Sequence, residues 1–335
     1  MSPAAADPIP LELSLTIAVL SYRRPVELAA ALPLIAAHAA MTRDAHDRDL
    51  IVAILVVDND PLESARPVVR AAETRIATTG VTLRYVAEPT PGIAAARNRA
   101  IDEALDADVL VFIDDDERPT GSWLIPLVRT WERTGAAAVM GRVQSVFEAR
   151  PEPWVEAGEF FRRRRMPTGT EIEVGAAGNL LLDLLQVHRL GVRFDERLSL
   201  GAGEDSLFTM ELVRRGGRMV WCDESVATDH VPPERMTRRW VLERARSHGN
   251  TETVVALLLA GSDAERRRLR ARAATRGSVR VAAGSARFAL GVATGSLRHQ
   301  ARGLRTAYRG LGIASGAVGV AVQEYAREPE RVDHG

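Results

Sequence analysis

Lysine is absent from this chain of 335 residues, and cysteine occurs only once. All 44 basic residues are therefore arginine, and the Gly-x-x-x-x-Gly-Lys loop of the P-loop nucleotide-binding proteins cannot occur. The single cysteine, Cys222, excludes an internal disulfide and a zinc site built on several cysteines. Its apolar neighbours Val220 and Trp221 favour a buried thiol.

Two further absences narrow the possible enzyme classes. No Gly-x-Gly-x-x-Gly follows the first predicted strand, which disfavours a classical dinucleotide-binding fold. A phosphatase of the haloacid dehalogenase type would need Asp-x-Asp-x-Thr after a strand. Arg118 stands at the fifth position of the acidic segment here, so the sequence does not fit that pattern.

The amino terminus lacks the basic start and the long apolar core of a secretory signal peptide. We therefore expect, by default, a cytoplasmic protein. Residues 1–12 are rich in proline and alanine, so we expect them to be a disordered lead-in. Over the whole chain, 46% of the residues are hydrophobic and 26% are charged, a globular composition that can bury a large core. The length fits one large α/β domain with appendages or two ordinary domains.

Short apolar runs alternate with helical patterns between residues 15 and 113. Predicted strands cover residues 15–20, 51–57, 81–86 and 109–113, and predicted helices cover residues 26–40, 62–77 and 93–105. This alternation predicts an α/β fold with a doubly wound, mostly parallel central sheet. Ligands of such sheets bind beyond the carboxyl ends of the strands.

Three consecutive carboxylates, Asp114, Asp115 and Asp116, end the fourth predicted strand. Carboxylates this close repel one another, so one or more would be protonated unless a cation or hydrogen-bond donors met them. A divalent metal with a phosphate ligand would meet that need, because hard oxygen donors suit Mg²⁺ or Mn²⁺. A solvated acidic turn explains the triplet alone equally well.

Several short segments carry a resemblance to a known family. They are residues 57–61, 91–98, 112–117, 203–205, 221–224 and 231–235. In this order they resemble the family 2 glycosyltransferases with the GT-A fold, most closely the bacterial exopolysaccharide enzymes of the succinoglycan type. The match extends over about residues 15–250. It implies a GT-A domain at residues 13–235, with a nucleotide-sugar half at about 13–120 and an acceptor half at about 121–235.

On the donor side, the resemblance implies that Ser21, Tyr22 and Asp58 hold the base and ribose of a nucleotide sugar. These residues end the first two predicted strands and are therefore expected on the same rim as the acidic triplet. Arg97 resembles the arginine that faces the nucleotide end of the site. Asp115 is assigned to the nucleotide-sugar side without a named role.

For the metal, the resemblance implies that Asp114 faces the ribose while Asp116 binds a divalent ion, Mn²⁺ or Mg²⁺, that bridges the two phosphates. A divalent cation together with arginine would stabilise the charge that develops on a nucleoside diphosphate leaving group. His230 resembles the histidine that completes the metal site in some relatives. A histidine in a loop after a strand, without a metal, is nearly as good an interpretation.

On the acceptor side, the resemblance implies that Asp205 is the catalytic base. Direct displacement at an anomeric carbon requires deprotonation of the acceptor hydroxyl on the face opposite the leaving group, which a carboxylate across the cleft can do. An acid at the start of a helix can also serve as a cap or complement the helix dipole. Glu204 is expected to bind the acceptor or support the structure, and Asn179 to contact the acceptor or the donor sugar.

Two segments lie outside the α/β pattern. Residues 148–173 are rich in proline, glycine and arginine, and form either a functional lid or a disordered insertion. Residues 236–335 are expected to be a basic helical extension, whose apolar runs are interrupted by arginine or too short to span a bilayer. It is either an amphipathic helix on an anionic membrane surface or an arginine-rich hairpin packed against the catalytic domain.

We therefore expect a metal-dependent, inverting transferase that moves a hexose from a nucleotide diphosphate sugar, for example UDP-glucose. The expected acceptor is a hydroxyl of a polysaccharide or a lipid-linked oligosaccharide, on the inner face of the cell membrane if the extension binds lipid, and no nucleic acid is involved. A nucleotidyltransferase is disfavoured because no glycine-rich, basic triphosphate loop follows the first strand. A catalytically inactive sugar-nucleotide-binding scaffold is disfavoured by the presence of Asp58, Asp116 and Asp205.

Overall fold

Alternating and continuous apolar runs build one eight-stranded sheet in the computed structural model, which describes residues 12–198 and 202–319. The strands are β1 (Glu12–Ser21), β2 (Asp49–Asp58), β3 (Thr82–Ala87), β4 (Val109–Asp114), β5 (Glu117–Thr120), β6 (Ala138–Phe147), β7 (Asn179–Asp183) and β8 (Met219–Val231). Their order across the sheet is β3-β2-β1-β4-β7-β6-β8-β5. The four strands predicted before residue 114 are all present, within three residues of the predicted ends.

Ten α-helices are found among the described residues. They are α1 (Pro25–Asp44), α2 (Arg66–Ala77), α3 (Ile93–Glu103), α4 (Leu124–Thr134), α5 (Pro153–Gly158), α6 (Leu184–Leu190), α7 (Glu204–Arg214), α8 (Arg238–Leu258), α9 (Asp263–Ala293) and α10 (Leu297–Ala317). Short 3₁₀ helices cover Glu196–Leu198 and Pro233–Met236. The predicted helices at residues 26–40, 62–77 and 93–105 correspond to α1, α2 and α3.

The sheet is parallel through β3, β2, β1 and β4, and mixed beyond β4. Strand β7 runs antiparallel to β4 and β6, and β5 runs antiparallel to β8. Parallel pairing resumes between β6 and β8. The carboxyl ends of β1, β2 and β4 therefore share one rim with the amino-terminal ends of β5 and β7. This rim collects Ser21, Asp58, Asp114, Glu117 and Asn179 in one region.

Buried apolar side chains form a layer on each face of the sheet. One layer packs α1, α2 and α4 against the strands, and the other packs α3, α6 and α7. By length and composition α1 could cross a membrane. Its Leu28, Leu32 and Ile35 are nevertheless fully buried against the sheet, as in a core helix of an α/β domain.

Residues 148–178, the arginine-rich loop, are ordered and attached to neighbouring elements. Arg163 pairs with Asp229 of β8, and the Arg165 guanidinium lies 2.9 Å from the Asp223 carboxylate. Arg305 of α10 donates to the carbonyl of Gly158 at 3.3 Å. Of the two predicted interpretations, lid or disordered insertion, the ordered loop excludes the second.

Helices α9 and α10 form an antiparallel hairpin in which α10 lies between α9 and α8. A Cβ added to Gly284 of α9 would lie 2.5 Å from the amide nitrogen of Ala307, and one added to Gly249 of α8 would meet the carbonyl of Arg309. The helices therefore touch backbone to backbone, which glycine alone permits. The extension is thus a packed hairpin, one of its two predicted forms. The predicted lead-in, except for Glu12, and residues 320–335 lie outside the described residues.

Candidate active site

The loop after β1 connects the ends of β1 and β4. Ser21 is buried, and its hydroxyl donates to Asp115 Oδ2 at 3.0 Å. Tyr22 is half-buried, and the Arg23 guanidinium lies 5.2 Å from the centroid of its ring. Arg23 has a φ of 55°, in the left-handed region that residues other than glycine seldom adopt. This turn directs the next residue, Arg24, toward the acidic end of β4.

Four acidic residues in sequence are held at this end of β4 and the start of β5. Burial raises the pKa of Asp114 to about 6, although Arg97 opposes the shift, and burial raises the pKa of Asp115 to about 7 against the effect of Arg24. Glu117 is buried, and its pKa is raised well above the usual range by burial and then by Asp114. Protons or cations must therefore balance this cluster at neutral pH.

A glycine makes room for two of these carboxyl groups. A Cβ on Gly178, just before β7, would lie 2.8 Å from Glu117 Oε1 and 2.9 Å from Asp114 Oδ2. The side-chain oxygen Glu117 Oε2 is buried and has no hydrogen-bond partner among the described residues. Glu117 is therefore packed beneath the acidic rim as a fourth acid, and burial raises its pKa well above the usual range.

Two arginines face Asp116, the predicted metal ligand. Arg24 Nη1 lies 2.7 Å from Asp116 Oδ2 and 3.2 Å from Asp115 Oδ1, and Arg235 Nη2 lies 3.8 Å from Asp116 Oδ2. The Asp116 side chain is 26% exposed and opens on a cavity of about 340 Å³. The cavity is lined by Arg24, Glu27, Asp116, Arg118, Glu148, His230, Pro232 and Arg235. The fold thus brings Asp116 and His230, the two predicted metal ligands, to one cavity.

The donor set at this cavity suits a hard divalent ion. Asp116 offers a partly exposed carboxylate and His230 an exposed imidazole, both ligands that Mn²⁺ accepts. In the part of the chain that the structure describes, no group of three or more His, Cys, Asp or Glu side chains is arranged to hold a metal. The residues present would thus supply two ligands, and a diphosphate and water would complete the coordination, as is common for such ions.

Asp58 is placed differently from the expectation. Its carboxylate is fully buried, with Oδ1 accepting from the amide of Asp60 at 3.1 Å. Oδ2 accepts from the amide of Ala65 at 2.8 Å and from the Tyr85 hydroxyl at 3.1 Å. Burial and the negative charge of Asp58 raise the pKa of Tyr85 to about 12. With these three bonds Asp58 closes the loop after β2.

Arg97 also departs from its expected contact with the nucleotide. Its Nη1 donates to Glu204 Oε1 at 2.5 Å, and the two side chains are only 4% and 5% exposed. Burial raises the pKa of Glu204 and Arg97 opposes that shift. The ion pair joins α3 in the nucleotide half to the first residue of α7 in the acceptor half.

Asp205 follows Glu204 in the first turn of α7 and is half-buried. Its Oδ1 accepts from the Ser206 amide at 2.6 Å. The N-cap is Gly203, so Asp205 is not the cap, and as an acid in the first turn it complements the helix dipole. Its charge is one of the causes that raise the pKa of Asp114, after burial and Asp116. Asp205 does not line the cavity at Asp116.

Asn179, expected at the acceptor or donor sugar, is instead fully buried. Its side-chain oxygen accepts from Trp123 Nε1 at 2.9 Å, and its amide donates to the Arg142 carbonyl at 3.2 Å and the Ser225 carbonyl at 3.3 Å. These bonds connect Trp123, the residue before α4, with β6 and β8 beneath the rim. Asn179 supports the cleft from below, and its side chain does not line it.

Sequence reasoning missed three residues that the structure brings to the site. Arg24 lies two residues beyond the predicted nucleotide contacts, Arg235 closes a segment already matched to the family, and Glu117 follows the acidic triplet. For Arg24 and Arg235, the usable signal was a basic residue directly after a strand end, next to acids that need a counter-charge. Glu117 offered no such signal, because its burial depends on strand pairing with β8.

Comparisons with known proteins agree with this geometry. A family model described as Glycosyl transferase family 2 matches residues 17–182. The succinoglycan biosynthesis protein ExoM of Rhizobium meliloti (strain 1021) is 33% identical over 239 residues, which are 71% of this chain and 74% of ExoM.

Solved structures share the fold at low identity. The mannosyltransferase PcManGT from Pyrobaculum calidifontis, in complex with GDP-Man and Mn²⁺, matches with a TM-score of 0.58 and 20% identity over 90% of this chain and 86% of that chain. A fragment of S. aureus TarS in complex with UDP-GlcNAc matches with a TM-score of 0.50 and 13% identity over 89% and 92%. With a relative this similar over most of its length and a GT-A architecture around the acidic rim, the chain belongs to glycosyltransferase family 2, close to the exopolysaccharide type.

Proposed function

We propose that this glycosyltransferase is a metal-dependent, inverting hexosyltransferase that uses a nucleotide diphosphate sugar, with UDP-glucose as the first donor to test. The observation that carries the proposal is the cavity at Asp116, where a metal-type carboxylate, His230 and two arginines converge. Relatives support it, because PcManGT was solved with GDP-Man and Mn²⁺ and TarS with UDP-GlcNAc. The donor would place its diphosphate in this cavity.

Asp116 and His230 would hold the divalent ion, Mn²⁺ or Mg²⁺. When bound, such an ion neutralises charge on a diphosphate and so makes it a better leaving group. Arg24 and Arg235 would contact the phosphate oxygens from the same cavity, because both guanidiniums already lie within 4 Å of Asp116. A cation at Asp116 would lie next to the Arg24 guanidinium, which already donates to Oδ2 of that carboxylate.

Asp205 would accept the proton of the acceptor hydroxyl. Its Oδ1 is engaged by Ser206, so we assign proton acceptance to Oδ2. The acceptor oxygen forms a bond to the anomeric carbon while the bond from that carbon to the diphosphate oxygen breaks. The electron pair leaves with the diphosphate, the proton goes to Asp205, and the configuration at the anomeric carbon inverts.

The acceptor we propose is a glycan hydroxyl, carried on a lipid at an anionic membrane surface on the cytoplasmic side. From Arg266 to Gly319 the chain has twelve arginines and no acidic residue. The hairpin that carries them contacts the arginine-rich loop, since a Cβ on Gly158 would lie 3.1 Å from that of Ala301. A basic hairpin beside the acceptor half would hold the cleft next to anionic lipid.

A panel of nucleotide sugars tests the donor assignment without knowledge of the acceptor. Thermal unfolding is measured with UDP-, GDP- and dTDP-hexoses, each with and without Mn²⁺, because a ligand that binds the folded state raises the unfolding temperature. We expect one base and sugar to stabilise the protein only when Mn²⁺ is present. Stabilisation by nucleoside triphosphates alone, with no response to any nucleotide sugar, would instead identify a nucleotidyltransferase.

A further inference from the structure

The buried pair between Arg97 and Glu204 links residues 107 positions apart, on the two sides of the cleft. Burying two charges costs several kcal/mol per ion before their attraction is counted, so such a pair is weak evidence for stability. Its position is more informative than its strength. Glu204 directly precedes Asp205, the residue proposed to accept the proton.

Two stacked aromatic rings, one of them on α7, lie next to the Arg97 guanidinium. The Arg97 guanidinium carbon lies 5.4 Å from the centroid of the Phe194 ring, and that ring stacks on Phe208 of α7 with centroids 4.1 Å apart. Arg97 thus reaches α7 through two contacts, one ionic at Glu204 and one through Phe194. The guanidinium and the helix start are fixed relative to each other.

The residue on the other side of the turn is fixed as well. Gly203 has a φ of 108°, and a Cβ there would collide with Thr251 of α8. The backbone before Asp205 is therefore confined between α8 and the Arg97 pair. A carboxylate whose two preceding residues are both anchored has a defined direction.

Arg97 also acts on the donor side. Its charge opposes the rise in the pKa of Asp114, and Asp205 adds to that rise. The same guanidinium is paired with Glu204. Arg97 therefore attracts an acid at the end of β4 and an acid at the start of α7, which opposes separation of the two elements.

We infer that Arg97 and Glu204 are positioning residues that orient the Asp205 carboxylate toward the anomeric carbon. The inference rests on the proposed role of Asp205 and extends it to the residues that aim it. Neither Arg97 nor Glu204 touches the donor or the acceptor in this account. A misplacement of the base by about 1 Å would lower the rate on the order of 100-fold while leaving donor binding intact.

The test is a double-mutant cycle on Glu204→Gln and Asp205→Asn. The readout is the release of nucleoside diphosphate from UDP-glucose, or from the donor that the panel selects, with water as the acceptor and Mn²⁺ present. We expect Glu204→Gln to lower kcat on the order of 100-fold with an unchanged Kd for the donor. In the Asp205→Asn background, the same change should have no further effect, because the group that it orients is gone.

An exposed ion pair between neighbouring segments serves as the control. Arg193 lies 2.5 Å from Asp102, the residue before the last of α3, with both side chains about half exposed. Asp102→Asn should leave kcat and the donor Kd unchanged. If Glu204→Gln does not fold, the Arg97→Gln/Glu204→Gln variant, which removes both charges together, takes its place in the cycle.

Three outcomes would overturn the inference, and they differ in what else fails. If Asp205→Asn lowers kcat but Glu204→Gln multiplies that loss, the pair does not act through Asp205, and the proposed function stands. If Asp205→Asn leaves kcat unchanged, the base assignment fails together with the inference. A raised donor Kd in Glu204→Gln would show that the pair holds the nucleotide.

Discussion

The Arg24 guanidinium bonds Asp116 at 2.7 Å, the same carboxylate that is proposed to hold the metal. A cation bound there would therefore compete with this arginine for the negative charge of one carboxylate. On the proposed function, metal binding would make the arginine available to a phosphate. This relationship sets the first prediction.

Arg24→Gln should bind Mn²⁺ more tightly than the wild type in the absence of donor, because a competing positive charge is removed from the carboxylates. We expect an increase of about 3- to 10-fold in affinity, a coupling on the order of 1 kcal/mol. The same variant should bind the nucleotide sugar more weakly, since a phosphate contact is lost. Free Mn²⁺ is measured by electron paramagnetic resonance.

Arg23→Gln is the control for this experiment, because Arg23 pairs with Asp60 at 3.4 Å and does not line the cavity. Its Mn²⁺ affinity should match the wild type. A weaker affinity in Arg24→Gln would mean that the arginine shapes the metal site, and the competition described above would be wrong.

Asp116→Ala should abolish the Mn²⁺-dependent stabilisation by the nucleotide sugar, and His230→Ala should weaken it. Asp116 supplies the partly exposed oxygen at the cavity, whereas His230 is the more exposed ligand. The measurement is the unfolding temperature at saturating donor with and without Mn²⁺. Glu27→Gln, an acid that lines the same cavity, should keep the full response. Persistence of the response in Asp116→Ala would remove this residue from the metal site.

The Asp115 carboxyl gives a prediction for pH. Burial raises its pKa from 3.8 to about 7, so the folded protein holds this proton longer than the unfolded chain does. The resulting contribution to the free energy of unfolding is complete below about pH 4 and is lost as the pH rises to about 7. Asp115→Asn removes the titration. In metal-free buffer the variant should therefore gain stability relative to the wild type across this window.

The expected gain is at most ~4 kcal/mol, at about 1.4 kcal/mol for each pKa unit. Urea unfolding at several pH values measures it as a difference between the two proteins, which cancels the titration of groups that do not interact with Asp115. A difference that stays constant between pH 4 and 7 would contradict a raised pKa at Asp115.

The tip of the α9–α10 hairpin tests the membrane proposal. Leu290, Val292 and Leu297 lie within eight residues there, and their exposed fractions are 52%, 58% and 41%. Replacing all three with serine should abolish sedimentation with vesicles that contain phosphatidylglycerol, because both the apolar tip and the arginines are needed at an anionic surface. Vesicles of phosphatidylcholine alone should bind the wild type weakly.

The matched control replaces three exposed leucines elsewhere, Leu62, Leu105 and Leu185, with serine. That variant should still sediment with the anionic vesicles. These point variants are preferable to deletion of the chain after Gly261, since deletion would also remove α10 from its contacts with α8 and α5. Equal binding by both triple variants would exclude the tip as the contact, and no binding by the wild type would end the membrane proposal.

Much of the fold was predictable because its signals are local. The first four strands and three helices follow from apolar runs bounded by proline, glycine and acids. The reversed directions of β5 and β7 were not predictable, since a strand's direction depends on a partner far along the chain. Asn179 is an example. It is buried because it pairs with Ile113 of β4, and the sequence around Asn179 does not reveal that pairing.

For the site, the structure brings Asp116 and His230 to one cavity, as the sequence predicted, and the roles of these residues and of Asp205 remain predictions. The sequence could not show that Arg97 would pair with Glu204, or that Asp58 would accept from Tyr85. In each case one partner comes from a distant segment of the chain. Residue type and strand position indicate where a side chain lies, whereas its partner determines what it is free to bind.

The contacts of α10 have a consequence for the order of assembly. The donor half is encoded before residue 121 and contains its own strands and helices, so it can fold early during synthesis. Trp154 and Phe160 of the arginine-rich loop pack against α8 and α10, and α10 ends only at Ala317. A nascent chain would therefore complete strands β1 to β4 well before the arginine-rich loop can pack in place, because that packing requires α10.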